Sequence, residues 1–278
     1  MDYGFIGFGS MANMLIHGLL EYSHVSPSDV CVTRKDKNKL NEVTETYKGV
    51  IVYDSCIDIV KNSSVVFLCV KPAEIKDILI EIKPFITDKT HIVSLAGTVS
   101  MKSLQFIIHS KISKLIPTIT SMTGLGVSLV NHNKKVTEDA KNFLENAITP
   151  FGQIRHVTDS DIGFAAELTS CAPGFIGSIF NNFSKAAAMH TNSFDDDEIN
   201  EMIIHTLYAT SKLILEKGMS FEQLVSRVAT KGGITQEGVA IFDEALPEVF
   251  GSMFLKTLEK RRVTEGSINE SFQRVEKV

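Results

Sequence analysis

Gly7, Gly9 and Ala12 stand at G-x-G-x-x-A spacing in the opening segment GFIGFGSMA, directly after a short apolar run and directly before a helix-periodic one. A strand ending near Ile6 has to turn sharply into a helix there, and Gly7 supplies a backbone free to do so. Gly9 has no side chain, so a pyrophosphate can approach the main chain, and Ala12 lets the helix lie close to the strand. Phosphates would then meet the unpaired N–H groups and positive dipole end of a helix starting at Ser10. Gly7, Phe8, Gly9, Ser10, Met11 and Ala12 are therefore expected to hold a dinucleotide. The alternative is a glycine-rich strand-to-helix turn without a ligand. About 20 residues on, where an NAD-binding domain carries Asp or Glu for the ribose hydroxyls, stand Thr33, Arg34 and Lys35. A carboxylate would repel a 2′-phosphate, whereas a guanidinium, an ammonium and a hydroxyl bind it, so NADP(H) is favoured over NAD(H). The other reading makes Arg34, Lys35, Lys37 and Lys39 only a solvated basic face.

These residues need a scaffold, and the hydrophobic pattern supplies one. Short apolar runs at 3–6, 30–33, 50–52, 65–70, 91–95, 114–116, 127–130 and 153–156 read as strands, with amphipathic stretches such as 74–83 and 136–148 between several of them. The alternation predicts right-handed crossovers and a doubly wound parallel sheet. From Asp159 onward helix-compatible stretches follow at 161–189, 195–217, 221–228, 234–245 and 246–262. The expected fold is α/β, with a Rossmann-type nucleotide-binding domain over residues 1–158 and an all-helical domain over 159–278. A largely apolar helical domain is expected to bury a face in a second copy, giving a homodimer or higher homo-oligomer.

Composition narrows the classes further. The chain has 278 residues, 44% hydrophobic and 22% charged, as in a globular protein. Its 28 basic and 33 acidic side chains give a net charge of −5, which argues against nucleic acid as a partner. The N-terminal apolar run is broken by glycines, so neither a signal peptide nor a membrane partner is expected, and a cytoplasmic location is. Cys31, Cys56, Cys69 and Cys171 lack C-x-x-C pairing and read as reduced core residues. The eight histidines show no metal-ligand spacing, so no metal is expected. The acidic run 195–198 follows Asn192 and Ser193 and reads as a helix start, with capping and dipole compensation.

VFLCVKP (66–72), LIPTIT (115–120) and ATKGGITQEGV (229–239), together with GFIGFGSMA, make the chain resemble the pyrroline-5-carboxylate reductase family over nearly its whole length. The resemblance implies an N-terminal NAD(P)H domain, a helical dimerisation domain, and reduction of a cyclic imine carrying a carboxylate to proline. It implies that Val70, Lys71 and Pro72 form the loop under the ribose and nicotinamide, and that Ala96 and Gly97 form a similar loop. It also implies that Thr235 is the substrate-contacting threonine. The residues permit this chemistry. Hydride transfer to C=N is eased when the nitrogen is protonated or hydrogen-bonded, and the Thr235 hydroxyl could bond it. Thr230, Gly232, Gly233 and Ile234 lead into a helix start whose backbone N–H groups could hold a carboxylate. The alternative is that Thr230 caps the helix and the glycines make a turn.

The chain also departs from the family pattern. Thr169 to Phe175 read TSCAPGF where typical members read SGSGPAY, residues 230–235 read TKGGIT where they read SPGGTT, and Ile116-Pro117-Thr118 replaces MPN. The combination looks most like the branch of late competence proteins. Alternatives are therefore another imine or carbonyl substrate, or a nucleotide-sensing protein without turnover. Glu167, a carboxylate in an apolar helix beside TSCAPGF, is a substrate-site candidate because burial is costly unless it is paired.

Overall fold

The structure, a computed structural model, describes residues 1–36 and 40–274; Lys37 and Lys39 of the basic run lie outside the described residues. The chain packs as two compact units, Met1–Pro173 with Thr257–Val278, and Gly174–Lys256.

The first unit is built on an eight-stranded sheet of β1 (Tyr3–Ile6), β2 (Val30–Thr33), β3 (Ile51–Val52), β4 (Val65–Leu68), β5 (His91–Ser94), β6 (Lys111–Ile116), β7 (Gly126–His132) and β8 (Gly152–His156). Their order across the sheet is β3-β2-β1-β4-β5-β6-β7-β8. The chain moves outward from β1 in one direction and then returns to continue from β4, so the topological switch lies between β1 and β4. Neighbours are parallel except β6 and β7, which pair antiparallel with Ser113 opposite His132. This departs from the all-parallel expectation. The segment between β6 and β7 holds only a short 3-10 turn, Ile119–Thr123, and a parallel crossover needs a longer connection.

Alternation along the strands sorts the apolar side chains onto two faces. Tyr3, Phe5, Val30, Val32, Phe67, Val93 and Leu115 pack with α1 (Ser10–Glu21) and α6 (Glu138–Ile148). Ile6, Cys31, Val66, Leu68, Ile92 and Ile112 pack with α3 (Cys56–Asn62), α4 (Ile75–Ile82) and α5 (Met101–Ile107). A short α2 (Leu40–Thr46) follows β2. The first unit includes α7 (Ile162–Leu168), whose Ile162 and Ala166 pack with Ile116 and Leu129. The end of α11 (Ile234–Gln273) also belongs to this unit, with Phe272 fully buried in the second face.

The second unit contains most of α8 (Ala172–Ala188), all of α9 (Asp196–Lys217) and α10 (Phe221–Val228), and the beginning of α11. Asp195 and Glu198 form a capping box, which accounts for the acidic run, and Gly218 ends α9 in the left-handed conformation. Two helix boundaries differ from expectation. The stretch 161–189 is broken at Thr169–Cys171, just ahead of Pro173, which suits the first turn of a new helix. The stretch 234–262 is one helix through Pro247, since one lost backbone bond does not stop a 40-residue helix. The run 162–188 equals a membrane span in length and composition, yet α7 commits its buried face to the sheet core.

Candidate active site

The carboxyl ends of β1, β2, β4, β5 and β6 border two cavities in the first unit, with Val70 in the wall of both. One, of about 370 Å³, is lined by Gly7, Thr33, Arg34 and Lys35, by Asp54, Ser55 and Cys56, and by Glu74, Asp77 and Glu81. The other, of about 310 Å³, is lined by Met11, Pro72, Ala96, Gly97, Thr98 and Ile116, with Ala166, Ser170 and Arg261.

The glycine motif is built as its spacing requires. Gly7 has φ +98°, and a Cβ there would lie 2.6 Å from the carbonyl oxygen of Cys69, so no other residue fits. Its N–H donates to the Thr33 carbonyl at 2.8 Å, tying the turn to β2. A Cβ on Gly9 would meet nothing within 4 Å, so open space adjoins the main chain. Gly9 precedes α1 without a side-chain cap, and α1 has no acidic residue in its first turn. The first helical bond runs from Asn13 N–H to the Gly9 carbonyl at 2.9 Å. The preceding amides of Ser10, Met11 and Ala12 have no partner among the described residues, which suits an anion. Ala12 is fully buried, as close helix–sheet packing requires. Phe8 packs against the first core face.

Charge in the first cavity is mixed. The Arg34 guanidinium donates to Glu42 at 2.9 Å, and Lys35, almost wholly exposed, stands 3.7 Å from Glu74. Asp54, Glu74, Asp77 and Glu81 add carboxylates to the same wall. Burial, with Glu81 second, pushes the Cys56 thiol up to about 11. Lys71 is exposed and borders neither cavity; its N–H donates to Glu74 Oε2 at 3.2 Å, closing the turn that Pro72 begins.

The second cavity has polar groups that the motifs did not indicate. Among the described residues, the buried Thr98 hydroxyl has no hydrogen-bond partner. Arg261 donates from Nε and Nη2 to Glu167 Oε1 at 3.1 and 2.9 Å, and the buried Glu167 Oε2 has no partner among the described residues. Glu265 lies 4.0 Å from Arg261, and burial holds its carboxyl above the ordinary range. Lys114, fully buried in β6, donates to Asp159 at 2.7 Å and to the Gly97 carbonyl at 3.2 Å, pinning the loop after β5. Asp159 also accepts from the Met101 N–H at 2.8 Å. One sequence signal existed for Lys114, a charge inside an apolar strand; none existed for Thr98 or Arg261.

Thr230 to Thr235 belong to the second unit, where the loop resolves into a tight turn before α11. Gly232 has φ +75°; its N–H donates to Gln236 Oε1 at 2.7 Å, and the Gly233 N–H donates to the Thr230 carbonyl at 2.9 Å. Against the expectation of glycine amides open to a carboxylate, these two are satisfied within the loop, because the turn itself consumes them. The amides of Ile234 and Thr235 and the Thr235 hydroxyl have no partner among the described residues, and both side chains are exposed. Among the described residues the Thr230 side chain makes no capping bond to α11.

Comparison with known proteins agrees with this architecture. A family model described as NADP oxidoreductase, coenzyme F420-dependent, matches residues 2–97, and one described as pyrroline-5-carboxylate reductase dimerisation matches residues 159–263. Pyrroline-5-carboxylate reductase 3 of Bacillus subtilis is 34% identical over 92% of this chain and 94% of its own. ComE operon protein 4 of the same organism is 25% identical over 98% and 99%. Among solved structures, the NADP-bound pyrroline carboxylate reductase of Plasmodium falciparum superposes with a TM-score of 0.83 at 17% identity, covering 97% of this chain and 98% of that one. The enzyme of Coxiella burnetii gives 0.80 at 24% identity, covering 97% of each. The chain belongs to the pyrroline-5-carboxylate reductase family, a family of oxidoreductases.

Proposed function

We propose that this protein reduces pyrroline-5-carboxylate to proline, or a closely related cyclic imino acid, using NADPH. The observation that carries this reading is the pair of cavities that share Val70 as a wall along one sheet edge, with the uncapped start of α1 and the open space at Gly9 beside them. An extended dinucleotide fits that arrangement: phosphates at the α1 amides, adenosine ribose toward Thr33, Arg34 and Lys35, nicotinamide toward Ala96, Gly97 and Thr98. Bound there, the cofactor supplies a hydride for the C=N carbon.

The chain's own residues do the rest. Thr98 lines the second cavity, and its buried hydroxyl has no partner among the described residues. Glu167 holds the Arg261 guanidinium at the cavity wall and neutralises it, so a substrate carboxylate is anchored elsewhere. The amides of Ile234 and Thr235 take the carboxylate, in a loop shaped by Thr230, Gly232 and Gly233. The Thr235 hydroxyl donates a hydrogen bond to the ring nitrogen, and as hydride reaches the C=N carbon a proton from water completes the amine at that nitrogen. The dimerisation-family match and the bare apolar helices of the second unit support an obligate homodimer. The test is NADPH oxidation with pyrroline-5-carboxylate, its six-membered analogue and small keto acids. Turnover with the cyclic imino acids is expected. Keto-acid turnover alone would move the assignment to carbonyl reduction, and tight NADPH binding without any turnover would make the protein a nucleotide sensor.

A further inference from the structure

His132 ends β7, His156 ends β8 and Glu145 projects from α6, at separations in sequence that carry no ligand spacing. The fold nevertheless brings them together. Glu145 Oε1 lies 2.9 Å from His132 Nε2, Glu145 Oε2 lies 3.2 Å from His156 Nε2, and one ligand atom from each residue falls within 4.8 Å of the others. Because β7 runs antiparallel to β6, this cluster stands at the sheet edge opposite the two cavities, and none of its residues lines either one.

We propose that His132, Glu145 and His156 form a binding site for a divalent transition metal of the zinc class. Two imidazoles and a carboxylate are the donor set such an ion takes, with a fourth position left for water, whereas magnesium and calcium prefer oxygen donors alone. Ligand atoms of a tetrahedral site stand about 3.3 Å apart. Each imidazole now meets its own oxygen of Glu145, so binding would draw together ligand atoms that stand within 4.8 Å of one another. His156 is half exposed, with Glu145 and the His132 ring as its contacts, while His132 is held from behind. The support behind His132 is independent of the cluster. Its Nδ1 lies 2.6 Å from Ser113 Oγ, which lies 2.7 Å from Nε2 of the buried His91. With the ion on Nε2, His132 donates its Nδ1–H to Ser113, and the serine donates to His91. Outer partners of this kind fix the ring and the tautomer that a metal needs. The ion would link β7, β8 and α6 at the edge strand.

The full chain, stripped with a chelator, is titrated with zinc against a chromophoric competitor and with cobalt by visible absorption. One ion per chain with tetrahedral cobalt bands is expected. His156→Ala, which opens no core, should weaken zinc binding at least about tenfold, Glu145→Gln likewise, and Ser113→Ala by about tenfold. His205→Ala, removing an exposed histidine 3.8 Å from Glu201, should change nothing. Zinc should raise the melting temperature of the unmodified chain and not that of His156→Ala. No zinc retained by the folded, unmodified chain overturns the proposal, as does a stoichiometric site whose affinity survives in folded His156→Ala.

Discussion

Arg34 and Thr235 carry the two predictions that belong to single residues. If Arg34 bonds a 2′-phosphate, Arg34→Gln removes a charged hydrogen bond and should weaken NADPH by about 1.5–3 kcal/mol, with NADH nearly unchanged. Calorimetry giving equal losses for both cofactors, or tighter NADH in the unmodified protein, would reverse the assigned preference. The Glu42 contact makes the lower end of that range the expected one, since part of the Arg34 charge is already compensated. For Thr235, replacement by Val keeps shape and removes the donor, a loss of about 1–3 kcal/mol at the transition state. Turnover should fall by roughly one to two powers of ten with NADPH affinity intact. A variant that melts lower but turns over normally would reduce Thr235 to a helix-start residue.

Between elements, two buried polar arrangements decide stability. The Glu167–Arg261 pair joins α7 to the end of α11, with Glu167 only 3% exposed. Glu167→Gln removes the charge opposite a largely buried guanidinium and should cost about 1–3 kcal/mol in denaturant unfolding. An unchanged midpoint would mean the pair contributes nothing. His91, at the start of β5, faces Ser113 with His132 and Lys111 nearby. Burial first, then the His132 and Lys111 charges, push its pKa down to about 3 from an ordinary 6.5. The folded chain therefore keeps His91 neutral while the unfolded chain protonates it. Its contribution is complete above about pH 6.5 and falls by up to about 1.4 kcal/mol per pH unit between there and about pH 3. His91→Gln should flatten that part of the stability profile, and parallel profiles for the two proteins would remove His91 as the cause.

At the scale of the whole molecule, the second unit is an incomplete core. Among its described residues only Ser184, Ile199 and Met219 are buried, whereas Phe183, Met202, Ile204, Tyr208 and Leu215 are largely exposed. A domain rarely leaves such a surface in water. Light scattering at micromolar concentration should therefore find a dimer or larger assembly, with dilution and unfolding coupled. A folded monomer at that concentration would contradict the obligate homodimer.

The eight strands, the glycine turn and the capped helix at Asp195 were legible in the sequence because each depends on neighbours a few residues apart: alternation, a permissive backbone, a side chain within reach of its own amides. The same locality made the sequence overdraw the break between residues 245 and 246, just ahead of Pro247, and miss the antiparallel β7. Those outcomes rest on helix length and on where a short connection can deliver the next strand. Arg261 with Glu167, 94 residues apart, and Lys114 with Asp159, 45 apart, had no local signature, since their pairing exists only once the core has brought the elements together. His132, Glu145 and His156 are the clearest case. Their spacing says nothing, and only the reversal of β7 against β6 beside β8 places two imidazoles around one carboxylate.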